Sequence, residues 1–443
     1  PGLSSGLAGS KIKQSKTVVA RLPAAPGVVS MDQNDLNLVD QLFFAHGDPH
    51  SVWKRLRVED PVHWTDGGLS RGFWSVTKLD DVQAVYRDAA TFKSGFGLPS
   101  SAEMERFDAD PQRGAREKML VQSNPPFHTG LRKAFVGPFL QRAVTHYEEP
   151  GRKIVAELVD EVLPRGECDF VMDVAAKLPM AIICDMMQVP RSDWAQMFRW
   201  ANQAMAAEDP EYQIEGGAPA TKEAGYNGIF NHVLRLALSR RGSPGNDLLS
   251  LISNCKVDGR LLTEEEVGHN GFMFVIGGLE TTRNSTSGGV AELIRNPAQM
   301  RMLREDRSLM RSAIEEMVRW TSPIVQLMRV ATRDTELRGR KIKQGDWVVV
   351  WNASGNRDEE GFEDPYRFDI TRWPNDHVGF GYGPHFCLGA HLARLEMRLM
   401  LNDVLDRMAD IQLTGEVERV ASNLIGGIKR MPVKFTPRQA SAA

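Results

Sequence analysis

The segment Glu264–Arg295 constrains the fold more than any other part of this chain. Apolar residues recur along it at three- and four-residue spacing, the signature of one long helix. Thr263 and Glu266 are placed for a capping box, and Asn296-Pro297 supplies a stop. Together they predict roughly 32 helical residues, about 48 Å at 1.5 Å per residue. Such a helix is longer than a small domain is wide, so it has to cross the interior of a large one. Yet its middle carries Gly277-Gly278, each about 1 kcal/mol less favourable than alanine inside a helix. That cost points to a place where something must come close to the helix.

Further helical periodicity runs through 151–163, 172–188, 224–240, 308–320 and 388–408. Strand patterns are fewer. Residues 62–77 alternate around Asp66-Gly67-Gly68 as a hairpin would, and Thr335–Trp351 ends in a β-branched, aromatic run. No internal repeat and no linker divides the chain. The expected fold is mainly α with a small β portion: a Gly/Ser/Ala/Pro-rich tail over 1–30, then one domain over 31–443.

The 42% apolar and 25% charged residues of the 443 are those of an ordinary globular protein. A net charge of −3 gives no signal for nucleic acid, and no apolar run reaches the ~18 residues of a membrane span. Cys168, Cys184, Cys255 and Cys387 are widely spaced without a CxxC pair, which favours reduced thiols in the cytoplasm over disulfides or a zinc site.

One of those cysteines stands apart. Phe380-Gly-Tyr-Gly-Pro-His385-Phe-Cys387-Leu-Gly389 sets a thiol among glycines just ahead of an amphipathic helix. Exposed N–H groups at a helix start favour a thiolate, and Gly381, Gly383 and Gly389 suit a tight loop approached closely by a flat ligand. The run resembles the haem-thiolate signature of the cytochrome P450 family, FGxGxHxCxG, at every fixed position. The resemblance makes Cys387 the axial ligand of haem b, with Phe380 and Gly389 beside the ring and His385 near a propionate.

Other segments match the family in the right order. Glu316-Met-Val-Arg319 resembles its ExxR, a structural tie between a helix and the run leading to the cysteine. Asn124-Pro-Pro-Phe-His128-Thr-Gly-Leu-Arg132 resembles DPPxHTxLR, which implies that His128 and Arg132 bind propionates, with Asn124 an inconsequential change. Arg329, in Thr321–Arg329, would pair with a propionate as well. Gly277-Gly278-Leu-Glu280-Thr281-Thr282 resembles the oxygen-activation motif [AG]Gx[DE]T. By that likeness the glycines make room for O2, Thr281 loosens the helical ladder, and Glu280 relays protons from solvent.

The resemblance implies a bacterial monooxygenase hydroxylating a lipophilic small molecule such as a sterol, terpenoid, fatty-acyl or natural-product scaffold. Oxidative coupling or ring formation, on a carrier-bound intermediate for instance, shares every motif and stays open, as does haem-based sensing. The chain carries no flavin, nicotinamide or iron–sulfur module, so NAD(P)H acts only indirectly, through a ferredoxin and its reductase. Lys133, Arg394 and Arg398 are candidate docking cations. Substrate walls are expected from Phe92–Val121, Met197–Gly217, Met273, Phe274, Ile276, Ile324–Val325 and Asn423–Ile425, with Ser94–Pro99 and Gly216-Gly217-Ala-Pro as lid segments.

Overall fold

The computed structural model describes residues 38–66, 71–95 and 115–438. The tail expected over 1–30, the turn at Gly67-Gly68 and most of the Ser94–Pro99 lid stretch lie outside them.

The helices that matter for the site are α1 (Phe127–Phe135), α2 (Lys177–Met186), α3 (Trp194–Met205), α4 (Gly217–Leu238), α5 (Glu264–Arg295), α6 (Met310–Thr321) and α7 (Ala390–Arg407). The crossing helix α5 has the expected bounds and runs unbroken for 32 residues. The Thr263 hydroxyl accepts from the Glu266 N–H while the Glu266 carboxylate accepts from the Thr263 N–H, so the capping box is complete. α5 packs against α2, α3, α4, α6 and α7. Val267, Val275, Leu279 and Val290 in its middle are at most 1% exposed, which is why its apolar residues wrap most of its circumference.

The β portion is one mixed sheet with small satellites. Strands β1 (Val62–Thr65), β2 (Phe73–Val76), β3 (Phe92–Ser94), β4 (Gln326–Ala331) and β5 (Trp347–Trp351) lie in the order β1-β2-β5-β4-β3. Pairing is antiparallel except between β5 and β2. All five residues of β5 are buried, as a central strand covered on both faces requires. This sheet carries Arg329 to the edge of the interior.

Two expectations change. α4 starts at Gly217, so Gly216-Gly217-Ala-Pro is a helix start and not a free lid. Gly216 supplies the left-handed turn at φ 96°, and Pro219 falls in the first helical turn, where no backbone donor is needed. The helix expected over 172–188 is split into a π-helical turn at Phe170–Ala175 and α2.

Candidate active site

A single cavity brings together His128, Arg132, Gly277, Gly278, Glu280, Thr281, Arg329, Phe380, His385, Cys387 and Gly389. All eleven residues singled out in the sequence meet there.

The cysteine loop is closed by the Cys387 N–H donating to the Phe380 carbonyl at 2.8 Å. Gly381 and Gly383 have φ of 70° and 65°, and a side chain at Gly383 would strike the Tyr86 carbonyl at 2.9 Å. Gly389 differs from expectation: its φ is −86° and a Cβ there would meet no protein atom. Its backbone places no demand for glycine. Burial pushes the Cys387 thiol up, against the Gly389 N–H and the Arg394 and Arg132 guanidiniums. A thiolate here therefore calls for a metal cation in the cavity.

His128 and Arg132 stand one turn apart on α1. The His128 and His385 rings lie 4.0 Å apart between centroids, and the Nε2 atom of each is buried without a partner. Burial, with Arg132 and Arg329 nearby, lowers His128 to about 4. Burial and the adjacent His128, with the same two guanidiniums, lower His385 to about 3. Arg329 is 3% exposed, donates to its neighbour Met328 at 2.9 Å and lies 5.0 Å from the Tyr86 ring. Among the described residues, no carboxylate pairs with any of these four groups. Two guanidiniums drawn from water without counter-charges, beside two imidazoles with unpartnered ring nitrogens, call for an anionic ligand that accepts hydrogen bonds. Haem fits this donor set, since it offers two carboxylates and an iron that accepts a thiolate.

Asn124 proves to be used in its own right. Its carbonyl accepts from the Ser94 N–H at 2.8 Å, while its amide donates to Glu117 at 2.8 Å, a donation that an aspartate could not make.

The two glycines of α5 serve different ends. A Cβ on Gly277 would enter open space, whereas one on Gly278 would press on Ile183 of α2 at 2.9 Å. Thr281 donates its hydroxyl to the Gly277 carbonyl at 3.0 Å, yet the helical ladder stays closed. Glu280 is 2% exposed and so does not reach solvent as expected. Its Oε2 accepts from Arg283 while Oε1 has no partner. Burial pushes its carboxyl up and Arg283 opposes that. Arg283 also donates to Asn202 of α3 at 3.1 Å. Sequence reasoning missed both residues: nothing local announces the Arg283–Asn202 pairing across 81 positions, whereas the Glu280–Arg283 spacing of three was a local signal left unread.

Each stretch expected to wall the cavity contributes to it, among them Val121, Met205, Phe274, Ile324 and Ile425. Met205 leads into the connection to α4, which is clasped to the strand Ile428–Arg430. Asp209, 1% exposed, accepts from Lys429 at 3.1 and 3.2 Å, and Glu211 accepts from Arg430.

The expected docking cations are placed as follows. Arg394 is committed to Glu315 in a bidentate pair at 2.6 and 2.8 Å, and Arg398 pairs with Glu148 at 3.1 Å. Lys133 is exposed. The groove on the outer side of the cysteine loop is lined by Arg394 and Arg398 together with Arg87 and Arg311. The last two lie over the Tyr382 and Trp373 rings, each at 4.7 Å.

Comparison with known proteins agrees with this geometry. The family model for cytochrome P450 matches residues 234–409. The chain is 35% identical over 416 residues to the steroid C26-monooxygenase of Mycolicibacterium smegmatis, covering 91% of this chain and 94% of that protein. It is 32% identical over 412 residues to the linalool 8-monooxygenase of Pseudomonas putida, covering 92% and 100%. Among solved structures, the Mycobacterium marinum cytochrome P450 CYP268A2 in complex with pseudoionone superposes with a TM-score of 0.83 at 33% identity, covering 92% of this chain and 100% of that one. Among the described residues, no helix is long and apolar enough to cross a membrane.

Proposed function

The chain belongs to the cytochrome P450 family and is a monooxygenase, and we propose that it hydroxylates a neutral lipophilic molecule of the steroid or terpenoid kind with electrons from a separate ferredoxin. The observation that carries this reading is the joining, in one mostly apolar cavity, of a thiol, two guanidiniums, two imidazoles and the Glu280-Thr281 pair. The named relatives act on a steroid and on linalool, which favours oxygen insertion over coupling.

Haem, when bound, supplies the oxygen chemistry, and a thiolate ligand favours O–O cleavage. The residues of this chain bind and orient it. Cys387 would hold the iron, and Arg132, Arg329, His128 and His385 would hold the propionates, to which guanidiniums bring both charge and directed donors. Gly277 leaves free space on the cavity face of α5. Thr281 and Glu280 move protons. The Thr281 hydroxyl must turn from the Gly277 carbonyl into the cavity, and Glu280 has its unpartnered Oε1 to offer while Oε2 stays on Arg283. The apolar wall excludes bulk water from around those two groups.

Thr281→Ala tests the proton assignment. The variant is expected to keep the thiolate spectrum while most electrons drain into hydrogen peroxide, read as product formed per NADPH consumed. Unchanged coupling would remove Thr281 from the relay.

The partner reading has its own check. The groove beside the cysteine loop suits an acidic ferredoxin, with Arg311 over the exposed Trp373 and Arg87 over Tyr382. Arg311→Glu is expected to raise the KM for a plant-type ferredoxin surrogate several-fold with substrate binding unaltered. An unchanged KM would place docking on another face.

A further inference from the structure

Asn270 lies on α5 two turns before Gly277, about 10 Å away along the axis, and is 0% exposed. Its side chain bonds only to backbone groups. The amide carbonyl accepts from the Leu120 N–H at 2.9 Å. The NH2 group donates to the Lys118 carbonyl at 2.9 Å and, one turn back, to the Glu266 carbonyl at 2.7 Å. Both amide hydrogens are thereby used. Lys118 and Leu120 flank Met119, whose backbone is extended at φ −103° and ψ 137°. In an extended chain the carbonyl before a residue and the N–H after it point the same way, toward the place of a neighbouring strand. Here one side chain of α5 takes that place.

Met119, Leu120 and Val121 line the cavity, and the first two are 3% exposed. An irregular segment keeps such a wall in place only through its ties. The Ser94 hydroxyl donates to the Val121 carbonyl at 2.8 Å, and Asn124 with Glu117 closes the segment on itself. Toward α5 there is the Lys118–Glu265 pair at 2.8 Å, but those side chains are 29% and 65% exposed, so water weakens it. The Asn270 amide is the buried tie. Asparagine is a poor helix former, and an amide taken out of water is costly unless its groups are paired, so what it holds accounts for its presence inside α5.

We propose that Asn270 is a specificity-determining positioning residue of this site. By clamping the two polar groups on either side of Met119, it fixes how Met119 and Leu120 are presented to the cavity, and so the orientation in which a lipophilic molecule lies there. Asn270 is not itself part of the cavity lining and acts through that wall. Leucine fills nearly the same volume but leaves the Leu120 N–H and the Lys118 carbonyl without their partner, so it loosens the wall and spares α5. The inference rests on the hydroxylation reading for its purpose, yet neither of its tests needs turnover.

Hydrogen–deuterium exchange of the haem-loaded protein reads the clamp. Asn270→Leu is expected to speed exchange of the Leu120 amide at least tenfold while exchange within α5 stays as in the parent. Unchanged exchange at Leu120 would overturn the proposal. Asn270→Ser, whose hydroxyl is too short to span both groups, takes the place of the leucine variant if that one does not fold. The second test titrates the ferric protein with imidazole, 4-phenylimidazole and 1-benzylimidazole, which bind the iron and direct their rings differently whatever the natural substrate is. The parent is expected to prefer one of the two aryl ligands. In the variant that preference is expected to shrink several-fold, with the Kd of imidazole, which carries no aryl group to meet the wall, unchanged. No preference in the parent, or an undiminished one in the variant, would overturn the proposal, and a shifted imidazole Kd would overturn a role confined to the wall. Failure of the hydroxylation reading would instead leave both readouts as expected and show only as absent product.

Discussion

Cys387→Ser is expected to fold, judged by far-ultraviolet circular dichroism, and to lose the long-wavelength ferrous–CO band that marks a thiolate-ligated haem, with product formation falling to background. Serine preserves the loop, since the 2.8 Å bond from residue 387 to Phe380 is made by the backbone. What it cannot preserve is the donor. Burial already pushes the Cys387 thiol up, and a hydroxyl is far harder to ionise in the same place, so no anionic ligand of comparable strength remains. The other cysteines offer no replacement. Burial raises Cys168 and Cys184 to about 12 and Cys255 to about 11, and none of the three lines the cavity. Survival of the long-wavelength band in the variant would remove Cys387 as the ligand and, with it, the reading of the whole loop.

What the sequence made legible follows from how local each signal is. The bounds of α5 are encoded within a few residues of each end, by Thr263 with Glu266 and by Asn296-Pro297, so they could be read without the rest of the protein. The Cys387 loop and the His128–Arg132 turn are likewise short runs in which residue type and spacing carry the chemistry. Pairings between distant elements were not legible. Arg394 reads as a free cation until α6 brings Glu315 against it, and Asp209 reads as a loop aspartate until Lys429, 220 positions later, closes on it. Gly277 and Gly278 look alike in the chain, and only the packing of Ile183 separates them.

Arg319→Leu is expected to destabilise the fold by about 3–5 kcal/mol, the usual cost of stranding one member of a buried ion pair. Arg319 and Glu316 on α6 are both 0% exposed and meet at 2.7 Å through two parallel bonds. The same guanidinium donates to the carbonyls of Asn356 at 2.6 Å and Pro365 at 2.9 Å. Glu316 accepts in turn from the Asp369 N–H at 2.8 Å and the Asn375 amide at 3.0 Å. The pair thus fixes the irregular segment 356–375, which feeds directly into the cysteine loop. With leucine at 319 the buried Glu316 carboxylate keeps only Arg372, at 3.2 Å, as an ionic partner, and the carbonyls of Asn356, Pro365 and Arg367 lose a donor, so both costs fall on that segment. A loss of this size is a large part of the roughly 5–15 kcal/mol that holds a typical domain together. It should appear as a lowered urea midpoint and as haem lost on gel filtration. Arg319→Lys keeps the charge but not the fork of donors, so it is expected to recover only part of the loss. Glu316→Gln/Arg319→Met removes both charges of the pair and leaves Arg372 on its backbone carbonyl partners, and it is expected to be more stable than Arg319→Leu even though it removes more of the pair. If Arg319→Leu unfolds within about 1 kcal/mol of the parent, the pair is not what holds the approach to Cys387, and the burial of these two charges needs another explanation.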